Sequence, residues 1–242
     1  MTRVERFPTV ARACQEAARL IHTVAGAAVR ERGRFSLVLA GGSTPLPLYR
    51  LLAAEPFRTE MPWDRTHFFW GDERCVAPTD PASNFGMSQA ALLAPLQLPP
   101  ANIHRLKAEV GTPDAAARQY AGEVADFFQQ AADPAPVFDF ILLGMGPDGH
   151  TASLFPHSPA LAEDQRWVVP VQAGLGDPPV ARVSLALPLI NQARHVLFLV
   201  AGHAKAAIVE EILAAPAAAA SRYPAARVAP TGQLCWFVAA AQ

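Results

Sequence analysis

Asp148 and His150 stand two positions apart in the stretch GMGPDGHTASLFP, Gly144 to Pro156. A carboxylate and an imidazole at that spacing on a loop reach one substrate or one water. An unperturbed imidazole titrates near pH ~6.5, so the pair suits proton transfer near neutrality. The apolar run Phe138–Leu143 (FDFILL) precedes it and reads as a buried strand of a parallel sheet. Ligands of open α/β sheets bind outside the carboxyl ends of such strands, and glycines there let the chain turn close to a ligand. Gly144, Gly146 and Gly149 also satisfy GxGxxG, the dinucleotide fingerprint. That reading needs a long following helix and an acidic residue closing the next strand. Pro156 and Pro159 interrupt the segment, and Glu163 and Asp164 come before the next apolar run, so a nicotinamide site is not expected.

Three further strand ends carry polar residues. Gly41-Gly42-Ser43-Thr44-Pro45 follows the run FSLVLA and offers backbone N–H groups, two hydroxyls and a helix start, a set suited to phosphate. The plainer reading is a tight turn with a Ser/Thr cap. No GK[ST] follows, and Pro45 stands where a nucleophile elbow needs glycine, so neither a P-loop nor a serine hydrolase is indicated. Lys205 falls in the first turn of a helix after Gly202, where a cation opposes the helix dipole unless an anion binds there. Arg182, at a strand start, is a weaker candidate for the same anion. Asp72-Glu73-Arg74 closes the strand Phe68-Phe69-Trp70 and is expected to face a cleft rather than form a surface charge cluster. Cys75 is a bystander, since nothing orders it against His150.

These residues must be positioned by alternating helices and strands. Residues 8–32 show helical periodicity through Cys14, Ala17, Ile21, Val24 and Ala28, with Gly33 as the stop. Strands are expected at 35–40, 68–70, 138–143, 167–171, 182–187, 195–200 and 234–238. Helices are expected at 46–54, 83–93, from Thr112 onward with Tyr120 and Val124 on the apolar face, and from Gly202 to about 213. Residues 214–220 read as a surface loop or frayed helix end. The order gives an α/β class with a mostly parallel sheet flanked by helices, in one domain over 1–242.

Composition narrows the function classes. Hydrophobic residues make up 51% of the 242, enough for a sizeable core. The net charge of −1 gives no case for nucleic acid or a membrane surface. Cys14, Cys75 and Cys235 form no CxxC pair, so neither a disulfide framework nor a zinc site is indicated, and a cytoplasmic location is expected. The start MTRVERFPTV has no apolar signal core, and no apolar run of membrane-spanning length occurs. His22, His67, His104, His157, His195 and His203 lack metal-ligand spacing and read as surface or satisfied core histidines.

Taken together, LAGGSTP (39–45), WGDERCV (70–76), SNFGM (83–87), GMGPDGHTASLFP (144–156) and the strand–Gly–x–x–Lys segment ending at Lys205 resemble the 6-phosphogluconolactonase family. The motifs run in order from Leu39 to about Val209. The resemblance implies a Rossmann-like fold, that of the glucosamine-6-phosphate deaminases, no metal or nucleotide cofactor, and hydrolysis of 6-phospho-D-glucono-1,5-lactone to 6-phosphogluconate. The deaminase and isomerase sister family has a glutamate five residues after the DGH histidine. Phe155 stands there in this chain, and Arg74 stands where the sister pattern has tyrosine.

The resemblance implies His150 as the general base, with Asp148 or Asp72 orienting the water or the imidazole. It implies Arg74 at the oxyanion or the sugar. Gly41, Gly42, Ser43, Thr44 and Lys205, with Arg182, are the expected phosphate contacts. Asn84 matches by motif only, for a hydroxyl contact or loop support. The partner expected is a small sugar-phosphate lactone, with no nucleic acid, membrane or obligate protein partner. Two alternatives belong to other classes, a glucosamine-6-phosphate deaminase or isomerase and a non-catalytic sugar-phosphate sensor. No helix-turn-helix fits before Phe35, and a sensor has no need of both Asp148 and His150.

Overall fold

Four runs with hardly a polar side chain make the centre of the sheet, because strands covered on both faces cannot alternate. The computed structural model describes residues 2–129 and 136–239. In it β2 (Phe35–Leu39), β5 (Phe140–Leu143), β8 (His195–Ala201) and β9 (Gln233–Ala239) are joined by β1 (Thr2–Phe7) and β3 (Thr66–Trp70). The six lie in the order β1-β9-β8-β5-β2-β3, and every pairing is parallel. β1 was not expected. Its sequence TRVERF is polar and largely exposed, as an edge strand is, and only its register on β9 reveals it.

Helices cover the sheet. α1 (Val10–Arg32) begins at Thr9, whose hydroxyl accepts the Arg12 N–H, and ends at Gly33 in the left-handed conformation. Its small residues Ala13, Ala17, Ala18, Ala25 and Ala28 are fully buried, which lets the helix lie close on its neighbours. α2 (Leu46–Leu52) follows the GGSTP turn. α3 (Asn84–Ser88) starts from the Ser83 cap, and α4 (Pro113–Phe128) from Thr112. α5 (His203–Ala214) follows β8 across Gly202. Residues 216–219 form a short helix where a loop or frayed end was expected.

Strands expected at 167–171 and 182–187 form as β6 (Val168–Val171) and β7 (Arg182–Leu185), but outside the parallel sheet. With β4 (Asp72–Arg74) they make a separate antiparallel sheet, β4-β7-β6. Gly71 joins the two sheets. Its N–H donates to Leu39 in the large sheet, and its carbonyl accepts from Leu185 in the small one. In the large sheet the chain order reverses between β2 and β5, which are neighbours. A crevice opens at such a reversal, and the GGSTP and GMGPDGH loops both leave the sheet there.

Candidate active site

Both loops are shaped by close contacts. After β2, the Tyr49 hydroxyl accepts the Ala40 N–H at 2.9 Å and donates to the Ala40 carbonyl at 2.7 Å, pinning the base of the turn. At Gly41 a Cβ would sit 1.9 Å from Asn84 Oδ1, so only glycine fits. After β5, the Gly146 N–H donates to the His150 carbonyl and the Thr151 hydroxyl to the Gly144 carbonyl, closing a compact turn. A Cβ on Gly146 would lie 2.1 Å from the His150 ring, so this glycine makes room for the imidazole.

Within that turn Asp148 Oδ1 lies 2.5 Å from His150 Nδ1 and also accepts the His150 backbone N–H at 3.1 Å. Burial raises the Asp148 carboxyl, but the hydrogen bonds and charge of His150 bring it below its ordinary value. With Nδ1–H donating to Asp148, Nε2 is left as the acceptor, the arrangement a general base needs. The Phe155 ring packs 4.4 Å from the imidazole, and the Arg182 guanidinium lies over the Phe155 ring at 5.5 Å.

The small sheet supplies the opposite wall. Asp72 is 6% exposed. Its carboxylate accepts Ser153 Oγ at 2.6 Å and Asn84 Nδ2 at 3.1 Å, so its hydrogen bonds go to these groups and not to His150. Arg74 and Arg182 face each other across the β4–β7 pair. Like charges directly opposed are unfavourable. Burial pushes the Arg182 guanidinium down, against the pull of Asp72. Among the described residues, Arg74 Nε, Arg182 Nε and Asn84 Oδ1 are buried without a hydrogen-bond partner. Each such group carries an unmet desolvation cost, which polar ligand atoms would relieve.

Lys205 sits in the first turn of α5. Burial pushes its ammonium down, and the charge of Asp148 pulls it back up. Gly41, Gly42, Ser43, Thr44, Asp72, Arg74, Asn84, Asp148, His150, Arg182 and Lys205 all line one cleft of about 640 Å³. Gly176 and Asp177, from the loop before β7, line it too and were not anticipated. Glu73 does not line it. Strand alternation turns Glu73 away from Asp72 and Arg74, into contacts with Ser83, Asn84 and Phe85. Ser153, which holds Asp72, was also missed. One compositional signal for Lys205 was available: it and Lys107 are the only lysines among 20 Lys and Arg residues.

The other histidines lie away from the cleft. His67 and His104 are 3.2 Å apart beside Phe69 and Phe127, and His195 contacts the Asp139 carbonyl. Among the described residues no three His, Cys, Asp or Glu side chains are grouped to hold a metal ion. No helix among them is long and apolar enough to cross a membrane.

Comparison with known proteins fits this arrangement. Residues 8–236 match the family described as glucosamine-6-phosphate isomerases/6-phosphogluconolactonase. The chain belongs to this family. A 6-phosphogluconolactonase from a Synechocystis species is 46% identical over 211 residues, covering 87% of this chain and 84% of the relative. One from a Nostoc species is 40% identical over 222 residues, covering 92% and 89%. The crystal structure of a 6-phosphogluconolactonase from Thermotoga maritima superposes with a TM-score of 0.84 at 31% identity, covering 99% of this chain and 100% of that one. Within the glucosamine-6-phosphate isomerase/6-phosphogluconolactonase family, the two namesake activities act on different sugar phosphates. Phe155 stands beside the cleft, buried against the His150 ring.

Proposed function

We propose that the chain is a 6-phosphogluconolactonase, an enzyme that hydrolyses 6-phospho-D-glucono-1,5-lactone to 6-phosphogluconate in the oxidative pentose phosphate pathway. The observation that carries the reading is the Asp148–His150 pair in the same cleft as Lys205 and the GGSTP turn. A proton acceptor at one place and an anion site at another suit a phosphorylated ester.

In this mechanism Ser43, Thr44, the Gly41 and Gly42 backbone and Lys205 hold the 6-phosphate. Water donates a proton to His150 Nε2 as its oxygen bonds to C1 of the lactone. The carbonyl electron pair moves onto oxygen, and Arg74 stabilises that charge, while Arg182, opposite it on β7, adds to the phosphate grip. On collapse the bond from C1 to the ring oxygen breaks, and His150 returns the proton to that oxygen. Asp148 stabilises the imidazolium between the two transfers. Asp72 acts through Asn84, holding its amide. The phosphate end contributes binding energy that positions C1.

The reading extends to setting. Residues 1–242 work as one domain on a free small molecule, with no metal or nucleotide and no nucleic acid, membrane or obligate protein partner. Three free thiols support a cytoplasmic location. The test is hydrolysis of freshly prepared lactone by purified protein, with spontaneous opening subtracted. Turnover proportional to enzyme is expected, and a rate equal to the blank would overturn the proposal. Phe155 also argues against the deaminase reading. Glucosamine 6-phosphate should yield no ammonia above blank even at high enzyme concentration, and robust release would reverse the assignment.

A further inference from the structure

Glu73 is a carboxylate with 3% exposure that does not itself line the cleft. Its oxygens accept the backbone N–H groups of Arg74 at 2.8 Å, Asn84 at 2.8 Å and Phe85 at 2.7 Å, and the Ser83 hydroxyl at 3.1 Å. The donors come from two segments that are separate in sequence, the end of β4 and the start of α3. Burying a carboxylate is costly, and these four donors offset that cost; an apolar residue here would leave them unpaired. The glutamate therefore holds the two segments together.

The residues that Glu73 ties together are both cleft residues. Arg74 follows it directly, and the Arg74 Nη1 donates to the Ala82 carbonyl at 2.5 Å, next to Ser83 in the same knot. Asn84 is gripped twice, its backbone by Glu73 and its amide by the Asp72 carbonyl and carboxylate. Both present an unpartnered buried polar atom, Arg74 Nε and Asn84 Oδ1. The tolerance is small, because Asn84 Oδ1 lies where a Cβ on Gly41 would be. Loosening the knot would shift both groups without removing either.

From this we infer that Glu73 is a positioning residue, fixing Arg74 and Asn84 relative to each other and to the substrate. The inference rests on the lactonase reading for its substrate, and its test separates the two. Glu73→Gln keeps the shape, but the amide nitrogen cannot accept from Phe85. A displacement near 1 Å at a reacting centre costs on the order of 10²-fold, so kcat/KM should fall by about 10–100-fold in Glu73→Gln. Measurements are made at a temperature where circular dichroism shows the variant fully folded.

The decisive result is a set of three double-mutant cycles. In an Arg74→Ala or Asn84→Ala background, Glu73→Gln should cost at least about threefold less than in the wild type, because one of the two groups it positions has gone. In a Lys205→Ala background the full loss should remain. Equal losses in all three backgrounds would make Glu73 merely structural and overturn the inference. If Glu73→Gln does not fold, Ser83→Ala removes one of the four donors, and its smaller loss must show the same pattern. The cycles are read on the lactone or on glucosamine 6-phosphate, whichever the wild type turns over. A failed lactonase assay is thus distinct from additive cycles, and turnover of neither substrate overturns both proposals.

Discussion

Replacing Asp148 by asparagine separates the charge of the Asp148–His150 pair from its geometry. Asp148 Oδ1 accepts two donors, His150 Nδ1 at 2.5 Å and the His150 backbone N–H at 3.1 Å. The backbone donor fixes which end of the new amide faces the ring, so the asparagine oxygen takes the place of Oδ1. The imidazole keeps its acceptor and its tautomer. What disappears is the negative charge facing the imidazolium. A hydrogen bond to a charged group contributes about 1.5–3 kcal/mol. The side chains are 45% exposed for Asp148 and 24% for His150. Solvent screening therefore places the loss at the low end, about 1.5–2 kcal/mol. At 1.36 kcal/mol per decade, kcat should fall about 10–30-fold. KM should change little, and 6-phosphogluconate should bind as well or slightly better, since a negative charge leaves the cleft. The assay is initial-rate hydrolysis across pH, each rate corrected for spontaneous opening. A loss of ~10⁴-fold, as when asparagine traps the wrong tautomer in a hydrolase triad, would refute the argument from the backbone donor. An unchanged kcat would remove Asp148 from the chemistry.

Four further outcomes are expected. His150→Asn should lower kcat and kcat/KM together by ~10²–10⁴-fold and abolish the acid limb, with product affinity little changed in calorimetry. Lys205→Ala should weaken 6-phosphogluconate binding by about 1.5–3 kcal/mol, while the dephosphorylated product binds poorly to both proteins. In Gly41→Ala, Asn84 cannot step aside from its Asp72 contacts, so overpacking of about 1–3 kcal/mol should appear as a lower Tm together with lost activity. His67 is held down at about 4 by burial, His104 and Arg34. The unfolded imidazole takes a proton near pH ~6.5, so stability is complete above that value and is lost as pH falls toward 4. For this partly exposed ring the loss between pH 7 and pH 5 is about 1–2 kcal/mol, and a Tm series on His67→Gln should not show it.

The parts legible in the sequence are those whose signal is local. β2, β5, β8 and β9 are nearly continuous apolar runs, and α1 carries its cap, periodicity and stop in adjacent residues. β1 was not legible, because an edge strand such as TRVERF has the composition of a loop. β4 escaped for a different reason. It has three residues, all charged, and is a strand only because β7 lies beside it. Its pairing with β7 joins residues more than about 100 positions apart, which no periodicity encodes. At the cleft, residue types were legible through the motifs but directions were not. Asp72, Glu73 and Arg74 look alike as a charged triplet. Yet Glu73 turns away from the cleft while its neighbours line it.

Gly71 has a mechanical meaning. One residue carries the chain from the edge of the parallel sheet into the antiparallel one, and it is hydrogen-bonded to both. His150, Lys205 and the GGSTP turn ride on the first sheet. Asp72, Arg74 and Arg182 ride on the second. The cleft is thus the gap of a calliper whose setting is locked rather than free: from the His150 loop, Ser153 bonds Asp72 and Ser184 of the second jaw.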